Sequence, residues 1–185
     1  MEVVTDTYRT LRSMTARQYL LHGVSLGLIM TSALIIWKTL MLVSGSESPV
    51  VVVLSGSMEP GFKKGDILFL HMPSTPVANG EIVVFNVDGR DIPIVHRVIR
   101  SHHNTKSYKG KPGYQEMLTK GDNNHGDDRV LYAPGQLWLD RDHVMGRSCG
   151  FLPHVGMVTI IMNDYVYLKY ALIGFLGLLV LTSKE

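Results

Sequence analysis

Residues 50–62 read V-V-V-V-L-S-G-S-M-E-P-G-F. A β-branched apolar run stops at Ser55-Gly56-Ser57-Met58, and Pro60 and Gly61 follow. Val50–Leu54 predicts a strand, and Ser55–Gly61 predicts the turn that ends it. A second reading is chemical. A serine at the end of a rigid strand, with a glycine beside it, can present its hydroxyl and its backbone N–H to a substrate. The rest of the chain has to decide between a plain turn and a nucleophile.

Downstream the same texture continues. Asp66–His71, Glu81–Val87, Ile92–Arg100, Glu116–Lys120 and Gln136–Leu139 predict further strands, with Val144–Arg147 a weaker one. Turn signals at Lys64-Gly65, Pro73–Pro76, Asn79-Gly80 and Asp88-Gly89 separate them. No useful helical period lies between them, so residues 49–154 predict a mainly β fold, a compact barrel or sandwich. The polar, breaker-rich stretch Ser101–Tyr114 reads as a long exposed loop. Its His102-His103 pair lacks a third ligand at convincing spacing, so no metal site is expected, and nothing suggests a cofactor.

Upstream the texture differs. The chain has 185 residues, 45% of them hydrophobic and 18% charged. Much of the apolar excess lies in Leu20–Val43, where His22 and Lys38 are the only ionisable side chains. That run is long enough to cross a hydrocarbon core. Lys38 lies in its last third and can snorkel to the interface. The run is too long for a typical cleaved signal peptide, and no small-residue cleavage pattern directly follows it, so it reads as an uncleaved anchor. Arg9, Arg12 and Arg17 precede it, and no Lys or Arg follows until Lys63. The positive-inside rule then puts the N-terminus in the cytosol and everything after Ser44 across the membrane, a single-pass type II arrangement.

A second apolar run, Tyr165–Thr182, is interrupted by Lys169 and falls short of a span counted from Tyr170. It is expected to lie in or dip into the interface, with Tyr165, Tyr167 and Tyr170 as its belt. The expected domains are thus a cytosolic segment 1–18, an anchor 19–43, a β-rich domain 44–164 and a membrane-associated helix 165–185. A net charge of +2 and the lack of a basic run interleaved with aromatics argue against nucleic acid. The single Cys149 excludes an internal disulfide.

A nucleophilic Ser57 needs a base. In I-P-I-V-H-R-V-I (92–99), strand alternation puts His96 on one face with Ile94 and Val98, and Arg97 on the other. A neutral imidazole there can accept a proton near pH 7. A third group must hold its tautomer. L-T-K-G-D-N-N-H-G-D-D-R (118–129) offers Asp122, Asp127 and Asp128. A calcium loop does not fit, because the sixth and twelfth positions counted from Asp122 are Asp127 and Ala133 rather than Gly and Glu. From the residues alone a polar turn also fits this stretch.

The boxes V-V-L-S-G-S-M-E-P, K-K-G-D-I-L-F-L, G-E-I-V-V-F, I-P-I-V-H-R-V, T-K-G-D-N-N and D-D-R, in this order, resemble those of type I signal peptidases. A histidine at position 96 resembles the endoplasmic-reticulum branch, where bacterial members carry lysine. The anchor A-L-I-I-W-K, the entry G-S-E-S-P-V-V-V-V-L and the tail around T-I-x-M-N-D-Y look like that branch too.

The resemblance implies a signal-peptidase-like β domain and a membrane-bound serine endopeptidase. Such an enzyme removes signal peptides from precursors entering the endoplasmic reticulum and cuts after small residues. It implies Ser57 as nucleophile, His96 as general base and Asp128 as the orienting carboxylate. Ser55 would assist the oxyanion, and Asp122 would support the site. It also implies small membrane-spanning accessory subunits. The rival class is an inactive membrane-anchored β domain that serves as a binding subunit.

Overall fold

The structure is a computed structural model, and it describes residues 15–104 and 114–182. The chain separates into two compact units. One is Leu40–Ile160, which carries the sheet. The other comprises the described parts of Met1–Thr39 and Ile161–Glu185 and is helical.

The first helix, α1 (Ala16–Ser44), opens on a capping arrangement in which the Thr15 backbone N–H donates to Gln18 Oε1 at 2.7 Å. Its interior contains no proline, and its apolar side chains are almost all exposed. Thr31 and Ser32 return their hydroxyls to the Gly27 and Ile29 carbonyls, at 2.7 and 2.8 Å. No backbone acceptor outside the helix is needed, as an apolar surrounding requires. Among the described residues it is the one helix long and apolar enough to cross a membrane. It ends where Gly45, at φ +66°, returns its N–H to the Met41 carbonyl at 3.0 Å. That left-handed turn suits glycine.

Among the described residues, seven antiparallel strands form one curled sheet, a half-barrel rather than two stacked layers. They are β1 (Val50–Val52), β2 (Ile67–His71), β3 (Ile82–Phe85), β4 (Ile94–Asn104), β5 (Tyr114–Lys120), β6 (Leu139–Asp140) and β7 (Val144–Leu152). Their spatial order is β1-β2-β7-β3-β4-β5-β6. The mainly β expectation therefore holds, with an apolar helix before the sheet and short helices after it.

Side-chain alternation sorts the core into two clusters. Val83, Phe85 and Val98 pack with Met117, Leu139 and Tyr132. Val84, between Val83 and Phe85, faces the other way and packs with Val53, Met58, Phe62 and Leu68. The second cluster is how the sheet holds the segment that follows β1.

Several expected boundaries move. β1 stops at Val52, although Val53 still exchanges hydrogen bonds with Gly65 and Asp66. Ser101–Asn104 and Tyr114 are not loop but the outer rungs of a long hairpin, with His102 opposite Glu116 and Asn104 opposite Tyr114. The middle of the expected loop, 105–113, lies outside the described residues, as do Arg9 and Arg12 of the basic flank. β6 lies at Leu139–Asp140 rather than Gln136–Leu139, because Pro134-Gly135 starts a turn closed by the Gln136 N–H on the Ala133 carbonyl. β7 is longer than Val144–Arg147 and sits centrally, between β2 and β3. After it come α2 (Met157–Asp164), unforeseen in the sequence, and α3 (Val166–Thr182). Lys169 lies inside α3 and does not interrupt it.

Candidate active site

Ser57 lies in the turn between β1 and β2, and its neighbour Met58 anchors that turn. Met58 is fully buried in the core, and its carbonyl accepts from Phe62 N–H at 3.0 Å. A deeply packed residue beside a half-exposed serine fixes the backbone from below. The turn is also held from the side. Asn123 donates its backbone N–H to the Ser57 carbonyl at 2.9 Å and its side-chain amide to the Gly56 carbonyl at 3.1 Å.

Gly121 makes that approach possible. A Cβ on it would lie 2.8 Å from the Ser57 carbonyl oxygen and 2.7 Å from Asn124 Nδ2. Gly121→Ala therefore pushes the serine turn off its seat. The expected result is a loss of roughly 100-fold in kcat, the factor typical of a displacement of about 1 Å at a reacting group. Thermal unfolding of the same preparation should also come at a lower temperature, because the clash is with main chain and Met58 ties the turn to the core.

His96 sits on β4 opposite Val83, nearly enclosed at 3% exposure. Its Nε2 lies 3.1 Å from Ser57 Oγ, and its Nδ1 lies 2.5 Å from Asp128 Oδ2. Asp128 opens a single 3₁₀ turn (Asp128–Val130) and is itself enclosed, at 1% exposure. A carboxylate only accepts, so the shared proton belongs to Nδ1 and the Nε2 lone pair faces the serine hydroxyl. Ser57 thus donates to His96. Its oxygen can accept from Ser55, whose Oγ lies 3.2 Å away.

Asp122, the alternative carboxylate, is placed elsewhere. It forms a bidentate pair with Arg97, from Nε at 2.9 Å and Nη2 at 2.7 Å. Arg97 points to the opposite face from His96, as strand alternation requires, and its Nη1 also reaches the Gly80 carbonyl at 2.8 Å. The structure therefore brings Ser57, His96, Asp128 and Ser55 together and puts Asp122 one layer out. There it anchors the loop whose next residue, Asn123, holds the serine turn.

Hydrogen bonding from Arg97 holds the Asp122 carboxyl below its usual range, and the same bond raises the Arg97 guanidinium. A depressed carboxyl stabilises the fold above its unfolded value and loses that contribution as pH falls through the folded one. The contribution should therefore be complete near neutrality and fade only below the ordinary aspartate value of about 3.9. In detergent, Asp122→Asn should melt below wild type at pH 6, and the gap should close as pH falls through and below that value.

Two more residues contact the site. Thr119 Oγ1 lies 2.6 Å from Asp128 Oδ2, and Tyr132 Oη lies 2.9 Å from Thr119 Oγ1. Neither these nor Asn123 follow from the sequence pattern. Thr119 occupies an ordinary strand position, and Tyr132 reads as core. Among the described residues, no group of three or more His, Cys, Asp or Glu is placed to hold a metal ion. His102 instead stacks edge-on against Trp138, with ring centroids 4.6 Å apart.

Comparisons with known proteins bear on the same residues. A family model described as Peptidase S24-like matches residues 27–109, which hold Ser57 and His96, and one described as signal peptidase C-terminal short helix matches 157–182. The chain is 54% identical over 181 residues to the signal peptidase complex catalytic subunit SEC11C of Homo sapiens, covering 97% of this chain and 91% of that one. The same figures hold for its counterpart in Rattus norvegicus. It is 54% identical to signal peptidase complex catalytic subunit sec11 of Dictyostelium discoideum, covering 88% of this chain and 87% of that one.

Proposed function

The chain belongs to the family of signal peptidase complex catalytic subunits, and from that premise we propose that Ser57, His96 and Asp128 are the catalytic set that removes signal peptides. The family function is peptide-bond hydrolysis by a serine peptidase, within a multi-subunit complex of the endoplasmic reticulum. One observation carries the assignment of residues: both ring nitrogens of His96 are engaged, one by Ser57 and the other by Asp128.

In the proposed mechanism Ser57 Oγ attacks the scissile carbonyl carbon and passes its proton to His96 Nε2. Asp128 stabilises the imidazolium that forms. The oxyanion is met by the Ser57 backbone N–H and by the Ser55 hydroxyl, which is released once Ser57 Oγ bonds to carbon. His96 then gives the proton to the leaving amine. Water, activated by the same imidazole, hydrolyses the acyl-enzyme.

α1 crosses the membrane with Arg17 and the residues before it in the cytosol, and the sheet stands on the lumenal side. The working division is a cytosolic segment 1–18, an anchor 19–43, a catalytic domain 44–164 and a membrane-associated segment 165–185. Small membrane-spanning subunits complete the assembly. Held at the bilayer, the enzyme meets a cleavage site just beyond its substrate's own apolar segment at high effective concentration. Cutting after small residues would follow from shallow pockets lined by the Val50–Leu54 and Glu81–Val87 segments.

The test is cleavage of a labelled secretory precursor by membranes in which this chain, wild type or Ser57→Ala, is the only catalytic subunit. Equal cleavage by both would make the chain a non-catalytic subunit. Topology is checked separately by protease protection in sealed microsomes. Digestion of the region after Ser44 without detergent would overturn the lumenal assignment.

A further inference from the structure

Behind Asp128 lies a short chain of hydroxyls that the proposed mechanism does not use. We propose that Thr119 and Tyr132 are positioning residues that aim Asp128 and set the basicity of His96. This deepens the reading of Ser57, His96 and Asp128 as the catalytic set and rests on it.

The direction of the chain is fixed at its end, because the Asp128 carboxylate only accepts and so takes the single hydroxyl hydrogen of Thr119. The Thr119 backbone N–H can only donate, and it donates to Tyr132 Oη at 3.0 Å. With the Thr119 hydroxyl hydrogen committed to Asp128, the 2.9 Å contact between the hydroxyls leaves Tyr132 to donate to Thr119 Oγ1. Thr119 Oγ1 in turn sends its single hydrogen to Asp128 Oδ2 at 2.6 Å, the same oxygen that accepts from His96 Nδ1. Two donors thus converge on one carboxylate oxygen.

The assembly is closed to water. Thr119 is 0% exposed, Asp128 1% and Tyr132 6%. The Phe85 ring lies edge-on to both His96 and Tyr132, with centroids 6.4 and 6.2 Å away. In such a place each hydrogen bond to an ionised group carries more weight than at a surface. Burial also raises the Tyr132 phenol above its usual range, so it remains a donor wherever the enzyme works. The other charges nearby are already paired, Asp122 with Arg97 and Asp127 with Arg129, while Lys120 acts on Asp122. They do not replace the Thr119 hydroxyl.

A bond from Thr119 holds part of the Asp128 charge. Without it more of that charge falls on the imidazolium, and His96 becomes harder to deprotonate. The experiment measures kcat/KM against pH, with membranes carrying the full chain in its complex as the only catalytic subunit. Thr119→Val removes the hydroxyl and keeps the shape. It should lower kcat/KM near neutral pH by roughly tenfold, the factor that one charge-assisted hydrogen bond carries. The acid limb should move up by about half a pH unit as His96 becomes easier to protonate, with KM little changed. Thr119→Ser should stay near wild type. Tyr132→Phe, which leaves Thr119 Oγ1 without its incoming donor, should shift the limb in the same direction but less.

A fall in activity with no movement of the limb, and no rescue by serine, would overturn the proposal and leave Thr119 a packing residue. Loss of the underlying catalytic reading would look different, because Ser57→Ala would then still cleave.

Discussion

Ser57→Ala should abolish signal-peptide cleavage to the limit of detection, a fall of the order of 10⁵- to 10⁶-fold in kcat. The size follows from the role proposed for the serine. Without Oγ no covalent intermediate forms, and His96 has no hydroxyl to activate. What remains is an ordered backbone N–H and a bound substrate, which accelerate attack by water only modestly. The change removes one atom from a half-exposed side chain, and the turn keeps its anchors in Met58 and Asn123. Precursor binding and assembly of the complex should therefore survive. A pull-down of uncleaved precursor by Ser57→Ala membranes distinguishes loss of chemistry from loss of the protein.

Asp128→Asn should be the second-largest defect, about 10³- to 10⁴-fold in kcat. Two effects add. The amide has no charge to set against the imidazolium. Its NH₂ group can also face His96 Nδ1, which would then accept and leave Nε2 protonated against Ser57, the useless tautomer. Asp122→Asn should be much milder, because Asp122 bonds Arg97 and not the imidazole. Single-turnover cleavage by the two variants side by side checks the assignment. Full activity in Asp128→Asn would sink it.

The choice between these carboxylates marks where the sequence stops being readable. Period-two alternation suffices to put His96 and Arg97 on opposite faces of a strand, and the structure has them so. It does not say which face a downstream aspartate will meet after a turn. Asp122 and Asp128 stand in one polar stretch with the same chemistry, and the path of the chain around the sheet edge separates them. Asn123 is invisible for a related reason. It acts mainly on main-chain carbonyls, which every residue has, so no pairing of side-chain types advertises it. Thr119 and Tyr132 each have an adequate ordinary reading, as a strand residue and an aromatic core residue, and their contacts with each other and with Asp128 set them apart. The apolar helix and the strand after it were plain from composition and β-branched runs. The position of β7 was not, because pairing partners distant in sequence leave no local pattern.

The strand order has a bearing on how the enzyme comes into being. The proposed nucleophile follows β1, which among the described residues pairs only with β2, while the proposed base lies on β4 beside β3. Among the described residues, no pairing joins β2 directly to β3. The bridge between the two pairs is β7, the last strand to leave the ribosome. A growing chain can form each hairpin early, but until residues 144–152 emerge the sheet between the reactive groups is incomplete. Long-range closure of this kind is slow compared with hairpin formation. The sheet that joins the proposed nucleophile to the proposed base is thus completed only by its closing strand.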